Sequence, residues 1–160
     1  MNFRGQSVVD WWPPFGGMNP DAATNGAMMP VILSVTCGMG DYASDGYNCE
    51  IWTRAHNGSN LSGAVAFYAS TEISSNWYQR SCLNRGFFIT LCDEDIHQLG
   101  VCMVEGKNYM FDNLGVNSYT RKEYYTYNIL GDPELCMWTD TPQGLDVSHP
   151  PVIGMGHIDF

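Results

Sequence analysis

Basic residues are scarce in this sequence: seven Lys and Arg stand against 17 Asp and Glu, for a formal net charge of −10 over 160 residues. That balance excludes nucleic acid and anionic membrane surfaces as partners, because both require a basic face. It leaves room for a structural calcium ion, although no residue cluster fixes a place for one. No apolar run reaches the length that crosses a bilayer, so no membrane span is predicted. The first residues carry no signal-peptide pattern, since Asp10, Trp11, Trp12, Pro13 and Pro14 interrupt them. There is no internal repeat and no low-complexity tract. The six cysteines include no Cys-x-x-Cys pair and no cysteine–histidine cluster at zinc spacing, so no cofactor is implied. They are scattered through apolar segments, so most of them read as buried thiols, and whether any pair forms a disulfide stays open.

What is present is the composition of a globular chain, 44% hydrophobic and 13% aromatic, long enough to bury a sizeable core. Val31-Ile32-Leu33-Ser34-Val35-Thr36-Cys37 is apolar and β-branched, bounded by Pro30 and by Gly38 and Gly40. A run this short between such breakers predicts a strand, and its lack of alternation predicts one covered on both faces, as in a parallel sheet. Cys37 falls at the C-terminal end, where open α/β sheets bind their ligands. A buried free thiol at a strand end is the competing reading.

Along the chain, Met1 to Gln6 predicts a short extended piece, followed by a long loop from Val8 to Met29 that either binds or covers. Tyr47 to His56 reads as a helix with a Glu50–Arg54 pair, stopped near Gly58. Gly63 to Ser70 is a second buried strand, which completes a βαβ unit. Trp77 to Leu91 and Ile96 to Leu114 read as helices, the second capped by Asp93-Glu94-Asp95. Tyr119 to Leu130 reads as a third, aromatic-rich helix, and Leu135 to Thr139 as a short strand. From Gln143 to Phe160 the character changes to alternating apolar residues with glycines and Pro150-Pro151.

Val35-Thr36-Cys37-Gly38-Met39-Gly40-Asp41-Tyr42 resembles the nucleophile segment of the gingipain family of cysteine peptidases. The order of the downstream segments is similar as well: Glu50 and Arg54, then Gly63 to Thr71, a polar loop to Trp77, and Asn128-Ile129-Leu130-Gly131-Asp132-Pro133-Glu134-Leu135 before Met137-Trp138-Thr139. The resemblance covers residues 1–142. It implies a caspase-like α/β fold, a parallel or mixed sheet flanked by helices, of which this chain holds the C-terminal part. Residues 143–160 would then begin an immunoglobulin-like β domain. With strands missing before Met1, a sheet edge would stand uncovered and the chain alone would be poorly soluble.

The resemblance further implies a secreted or cell-surface bacterial protein that acts on protein or peptide substrates and works within its own longer chain. Cys37 matches the nucleophile, its own backbone N–H would be an oxyanion donor, and Trp77 matches the aromatic wall of the substrate pocket. The family's base is a histidine upstream on a neighbouring strand end, and Gln6 stands at that position with Ser7 after it. Glutamine accepts no proton at a useful pH, and a thiol of pKa about 8.5 is only a few per cent ionised at neutrality. Two functions therefore stand side by side: a peptidase working through Cys37, and a catalytically silent relative kept as a binding or scaffold module. A third, a flavodoxin-like ligand-binding domain, lacks a phosphate loop, because Gly38-Met39-Gly40-Asp41 has no third glycine and opens no helix. Of the other histidines, His56 is the nearest substitute base; His97, His149 and His157 fall on later segments.

Overall fold

The computed structural model describes residues 1–4, 20–43, 48–58, 60–73 and 76–141. Strand β1 (Asn2–Arg4) and β2 (Val31–Val35) are followed by helix α1 (Asn48–Arg54) and a small hairpin, β3 (His56–Asn57) with β4 (Asn60–Leu61). Then come β5 (Ala66–Ser70), α2 (Trp77–Phe88), α3 (Leu99–Leu114), α4 (Ser118–Thr126) and β6 (Tyr127–Leu130). The main sheet has four strands in the order β1-β2-β5-β6. β1 and β5 both run parallel to β2, with Arg4 opposite Val35 and Ile32 opposite Phe67, while β6 is antiparallel to β5. The predicted α/β class and the parallel pairing of the two apolar runs are both present.

The apolar runs are covered on both faces, which explains why they do not alternate. Leu33, Ala66 and Tyr68 face Leu83, Phe87, Cys102 and Met110 of α2 and α3. Ile32, Phe67 and Ala69 face Cys49 and Trp52 of α1 on the other side. Glycine lets α2 and α3 approach closely. A Cβ on Gly106 would stand 2.6 Å from the Leu83 carbonyl oxygen, and one on Gly86 would stand 2.5 Å from the Tyr109 Cβ. Gly86 is thus a contact residue within its helix and does not break it.

Several expectations need correction. The segment Tyr119–Leu130 is not one helix: α4 ends at Thr126, and Tyr127–Leu130 becomes the strand that closes the far edge of β5. Pairing with that edge, together with burial of Tyr127 against Tyr68, outweighs the helical spacing of the aromatics. Leu135–Thr139 is not a strand of the sheet and makes only an isolated bridge, Gln98 to Cys136. It lies across the start of α3, where the carbonyls of Leu135 and Pro133 accept from the N–H groups of Leu99 and Gly100. Those carbonyls satisfy the helix end that Asp93-Glu94-Asp95 were expected to cap. Asp93 instead ends a π-helical turn, Ile89–Asp93, that extends α2, and Asp95 takes a positive φ of 58° beside His97.

Helix α1 is shorter than expected, and Gly58, at φ +63°, turns the β3–β4 hairpin and does not cap the helix. The Glu50–Arg54 pair is not formed: Glu50 Oε2 is buried without a hydrogen-bond partner. The long loop holds a single 3-10 turn, Pro20–Ala22, among its described residues. Its Trp11-Trp12 stretch lies outside the described residues, as does everything from residue 142 onward, including the expected second domain, His149 and His157.

The six cysteines have no disulfide among them, and the expectation that most are buried is not met: Cys49 and Cys102 are buried, Cys37 and Cys82 half-buried, and Cys92 and Cys136 exposed. Burial pushes the Cys49 and Cys102 thiols up to about 11 from an ordinary 9.0. A thiol raised in this way stays neutral in the folded chain where the unfolded chain already ionises. Its stabilising contribution is therefore complete below pH 9.0 and drains away as pH rises toward 11.

This packing yields two expected outcomes. Gly106→Ala should lower stability by about 2 kcal/mol in urea unfolding, because the Leu83 carbonyl has to move; no change in midpoint would contradict the contact. The urea midpoint should also fall between pH 9.0 and 11, and fall less in a Cys49→Ala, Cys102→Ala double variant. Equal falls in both chains would show that these thiols carry none of it.

Candidate active site

Cys37 lies just past β2, and the loop that carries it is fixed to the end of β5. The N–H of Gly38 donates to the Glu72 carbonyl at 3.0 Å, and that of Gly40 donates to the Ser70 carbonyl at 2.9 Å. Gly38 holds φ +65°, in the left-handed region that favours glycine. A Cβ on Gly40 would stand 2.7 Å from the Ala69 carbonyl oxygen, so the loop can lie this close to β5 only as glycine. Between them the Met39 side chain is fully buried in the α1 face of the core. One anchored side chain flanked by two glycines leaves Cys37 little freedom to move. It is half-buried at the C-terminal end of a central parallel strand.

The guanidinium of Arg80 lies beside the thiol. Arg80 is in the first turn of α2, where its N–H closes onto the Asn76 carbonyl. Its Nη1 donates to Cys37 Sγ at 3.1 Å, its Nε to Glu123 Oε2 at 3.1 Å, and its Nη2 to the Glu72 carbonyl at 3.3 Å. Ser70 Oγ lies 3.5 Å from Nη2, and the guanidinium carbon stands 5.8 Å from the centre of the Tyr127 ring. Both partners of the ion pair are removed from water, with side-chain exposures of 5% for Arg80 and 0% for Glu123. Burial works against the Arg80 charge, but Tyr127, Glu123 and the Cys37 bond together hold its pKa above the ordinary value. A planar fork can serve thiol, carboxylate and carbonyl at once, which a lysine could not do.

Other polar groups lie close behind. Tyr68 is buried with no hydrogen-bond partner for its hydroxyl, and burial pushes that hydroxyl well above its ordinary pKa. Asn84 Oδ1, on the next turn of α2, is likewise buried and unpartnered. Ser34 and Thr36 share a hydrogen bond of 2.6 Å on the strand leading to Cys37.

Trp77 opens α2 and is 57% exposed, its ring stacked on Tyr78 at 3.6 Å between centroids. It is therefore available at the surface and is no core filler. Cys37 and Trp77 are tied together through Arg80, which lies on the same helix as Trp77 and bonds the thiol. Gln6 lies outside the described residues. β1 runs parallel to β2 with its last residue, Arg4, opposite Val35, so β1 ends on the side of the sheet where Cys37 stands. The two described histidines are placed elsewhere. His56 lies in β3, exposed, its N–H bonded to Asp21, and the His97 ring meets Asp95 and Thr139. Among the described residues, no group of three or more His, Cys, Asp or Glu could hold a metal ion. No helix among them is long and apolar enough to cross a membrane.

Arg80 and Glu123 do not stand out in the sequence as site residues. A signal for Arg80 exists: a cation in the first turn opposes the helix dipole, so such an arginine needs a specific partner. Glu123 carries none, because a lone glutamate beside Arg121 and Lys122 reads as surface charge.

The sequence profile of peptidase family C25 matches residues 1–138. No curated protein sequence matches the chain. Among solved structures, the Arg-specific cysteine proteinase gingipain R superposes with a TM-score of 0.78 at 23% identity, covering 86% of this chain and 33% of that one. The complex of the pro- and mature domains of RgpB from Porphyromonas gingivalis gives 0.77 at 25% identity, over 86% of this chain and 34% of that one. A structure described only as a protease gives 0.72 at 16% identity, over 98% and 39%. The chain thus spans 33 to 39% of the length of these solved chains. By the profile match over most of its length and by its fold, this chain belongs to peptidase family C25, the gingipain family of cysteine peptidases.

Proposed function

We propose that this chain is part of a secreted cysteine endopeptidase that hydrolyses peptide bonds through Cys37. The observation that carries this reading is the place of Cys37: at the C-terminal end of a central parallel strand, on a loop locked to the neighbouring strand, in a chain of this family. The Cys37 thiolate would attack the peptide carbonyl carbon. A sulfur–carbon bond forms as the carbonyl π electrons move onto oxygen, and collapse of the adduct then breaks the carbon–nitrogen bond. The departing amine takes a proton from solvent water, and a second water then attacks the thioester carbon, breaking the carbon–sulfur bond to release the acid and return the thiol. The Cys37 N–H is the proposed oxyanion donor.

Trp77 is proposed as a wall of the pocket that receives the substrate side chain before the cleaved bond. No preference for arginine or lysine is assigned, even though one relative is described as Arg-specific. The chain is further proposed to act within a longer polypeptide; one relative is described as a complex of its pro- and mature domains. The tail from residue 143 is read as the beginning of a downstream β domain, and a structural calcium ion remains a proposal without a site.

One observation favours the second reading. Gln6 stands where the family resemblance puts the proton acceptor, and a glutamine there would make this chain a silent relative serving as a binding or scaffold module. The experiment is digestion of a mixed peptide library by the full chain, read by mass spectrometry, with Cys37→Ala as the control. Cleavage at defined bonds that Cys37→Ala abolishes is the expected result. Intact peptides after prolonged incubation with the parent chain would leave the scaffold reading.

Where cleavage is seen, Trp77→Ala should raise KM more than it lowers kcat, because it removes substrate contact and not chemistry. Its exposure keeps the stability cost below about 0.5 kcal/mol. An unchanged KM would remove Trp77 from the pocket.

A further inference from the structure

We propose that Arg80, held in place by Glu123, stabilises Cys37 in its thiolate form, so that the nucleophile of this chain is activated by a buried cation. This rests on the reading of Cys37 as the nucleophile. A thiol needs a partner that favours its charged form before it reacts at neutral pH, and a nearby guanidinium supplies one. The Nη1–Sγ distance of 3.1 Å is a direct hydrogen bond from a permanently charged donor to the sulfur. Arg80 cannot take the thiol proton, which therefore leaves to solvent; the half-exposure of Cys37 permits that.

The surroundings fit this role better than a purely structural one. A buried ion pair that only stapled α2 to α4 would have no need to point a third donor at sulfur. Here Nε faces Glu123, Nη2 faces Glu72 and Ser70, and Nη1 is aimed at Cys37. Among the described residues, the charges placed on this contact are Arg80 and, behind it, the Glu123 carboxylate. The Lys122–Glu72 pair lies further out, with both side chains about half exposed and screened. Glu123 has two opposing effects. It fixes the guanidinium, and as a carboxylate it offsets part of the positive charge that the sulfur feels.

Glutamine keeps an acceptor for the Arg80 Nε and removes only the charge, which gives the test a sign. Alkylation of Cys37 by iodoacetamide, resolved peptide by peptide and compared with the exposed Cys92 and Cys136, reports the reactivity of each thiol separately. At about pH 6.5, folded Glu123→Gln should react faster at Cys37 than the parent, because the guanidinium charge is no longer offset. The paired variant Arg80→Met, Glu123→Leu should react about tenfold more slowly than the parent. Replacing both members avoids the uncompensated buried charge left by a single removal, so the paired variant decides the matter if Glu123→Gln does not fold. Far-UV circular dichroism and a cooperative melt establish that each chain is folded.

A folded paired variant that keeps the parent's Cys37 rate would overturn the inference, and so would a parent Cys37 no faster than Cys92 and Cys136. Since iodoacetamide needs no peptide recognition, this outcome is independent of library digestion. Arg80-dependent reactivity without peptide cleavage would sink the peptidase reading and leave the Arg80 contact standing. Cleavage with Arg80-independent reactivity would do the reverse.

Discussion

The guanidinium of Arg80 is the point on which the end of the sheet depends. It bonds the Cys37 loop, the residues after β5 and helix α4 together, through Sγ of Cys37, the Glu72 carbonyl and the Glu123 carboxylate. With both charges out of water, the pair survives only because its geometry is nearly complete. Removing one member from such a pair costs about 3–5 kcal/mol, whereas the intact pair adds little over an apolar substitute. Its value to the molecule is therefore geometric: α2 and α4 must meet in one register for the fork to fit, and that register sets where Cys37 stands.

The loop meets the same demand from the other side. Gly40 must be glycine to lie against Ala69, Gly38 must be glycine to turn at φ +65°, and the side chain of Met39 anchors the pair in the core. Backbone bonds from Gly38 and Gly40 then commit the donors of this loop to β5 and the residues after it. The outcome is a cysteine held by packing below it, by backbone at its flank and by a cation at its sulfur. Trp77 is joined to this arrangement by the helix that also carries Arg80, so any shift of α2 moves the exposed aromatic and the cation together.

Much of this was legible in the sequence, for reasons that differ by element. The two central strands could be read because burial on both faces suppresses alternation, a pattern visible in Val31–Val35 and Ala66–Ser70 alone. Strand β6 could not, because what makes Tyr127–Leu130 extended is an open edge of β5, a partner distant in the chain. The acidic run before α3 misled for a similar reason: the donors it was expected to satisfy are taken by carbonyls of residues 133 and 135, which are brought there by the fold. Cys37 was legible as a strand-end residue from its neighbours. Arg80 and Glu123 were not paired in advance, since 43 residues separate them and neither lies in a motif.

The central claim is that position and a neighbouring cation, and not exposure, set the chemistry of Cys37. The most direct measurement offers a peptidyl acyloxymethyl ketone, below stoichiometric amount, to all six cysteines of the native chain at neutral pH and locates the adduct by mass spectrometry. The account predicts that the label is found on half-buried Cys37 ahead of the exposed Cys92 and Cys136. A label distributed by exposure, with Cys92 and Cys136 filled first, would contradict it.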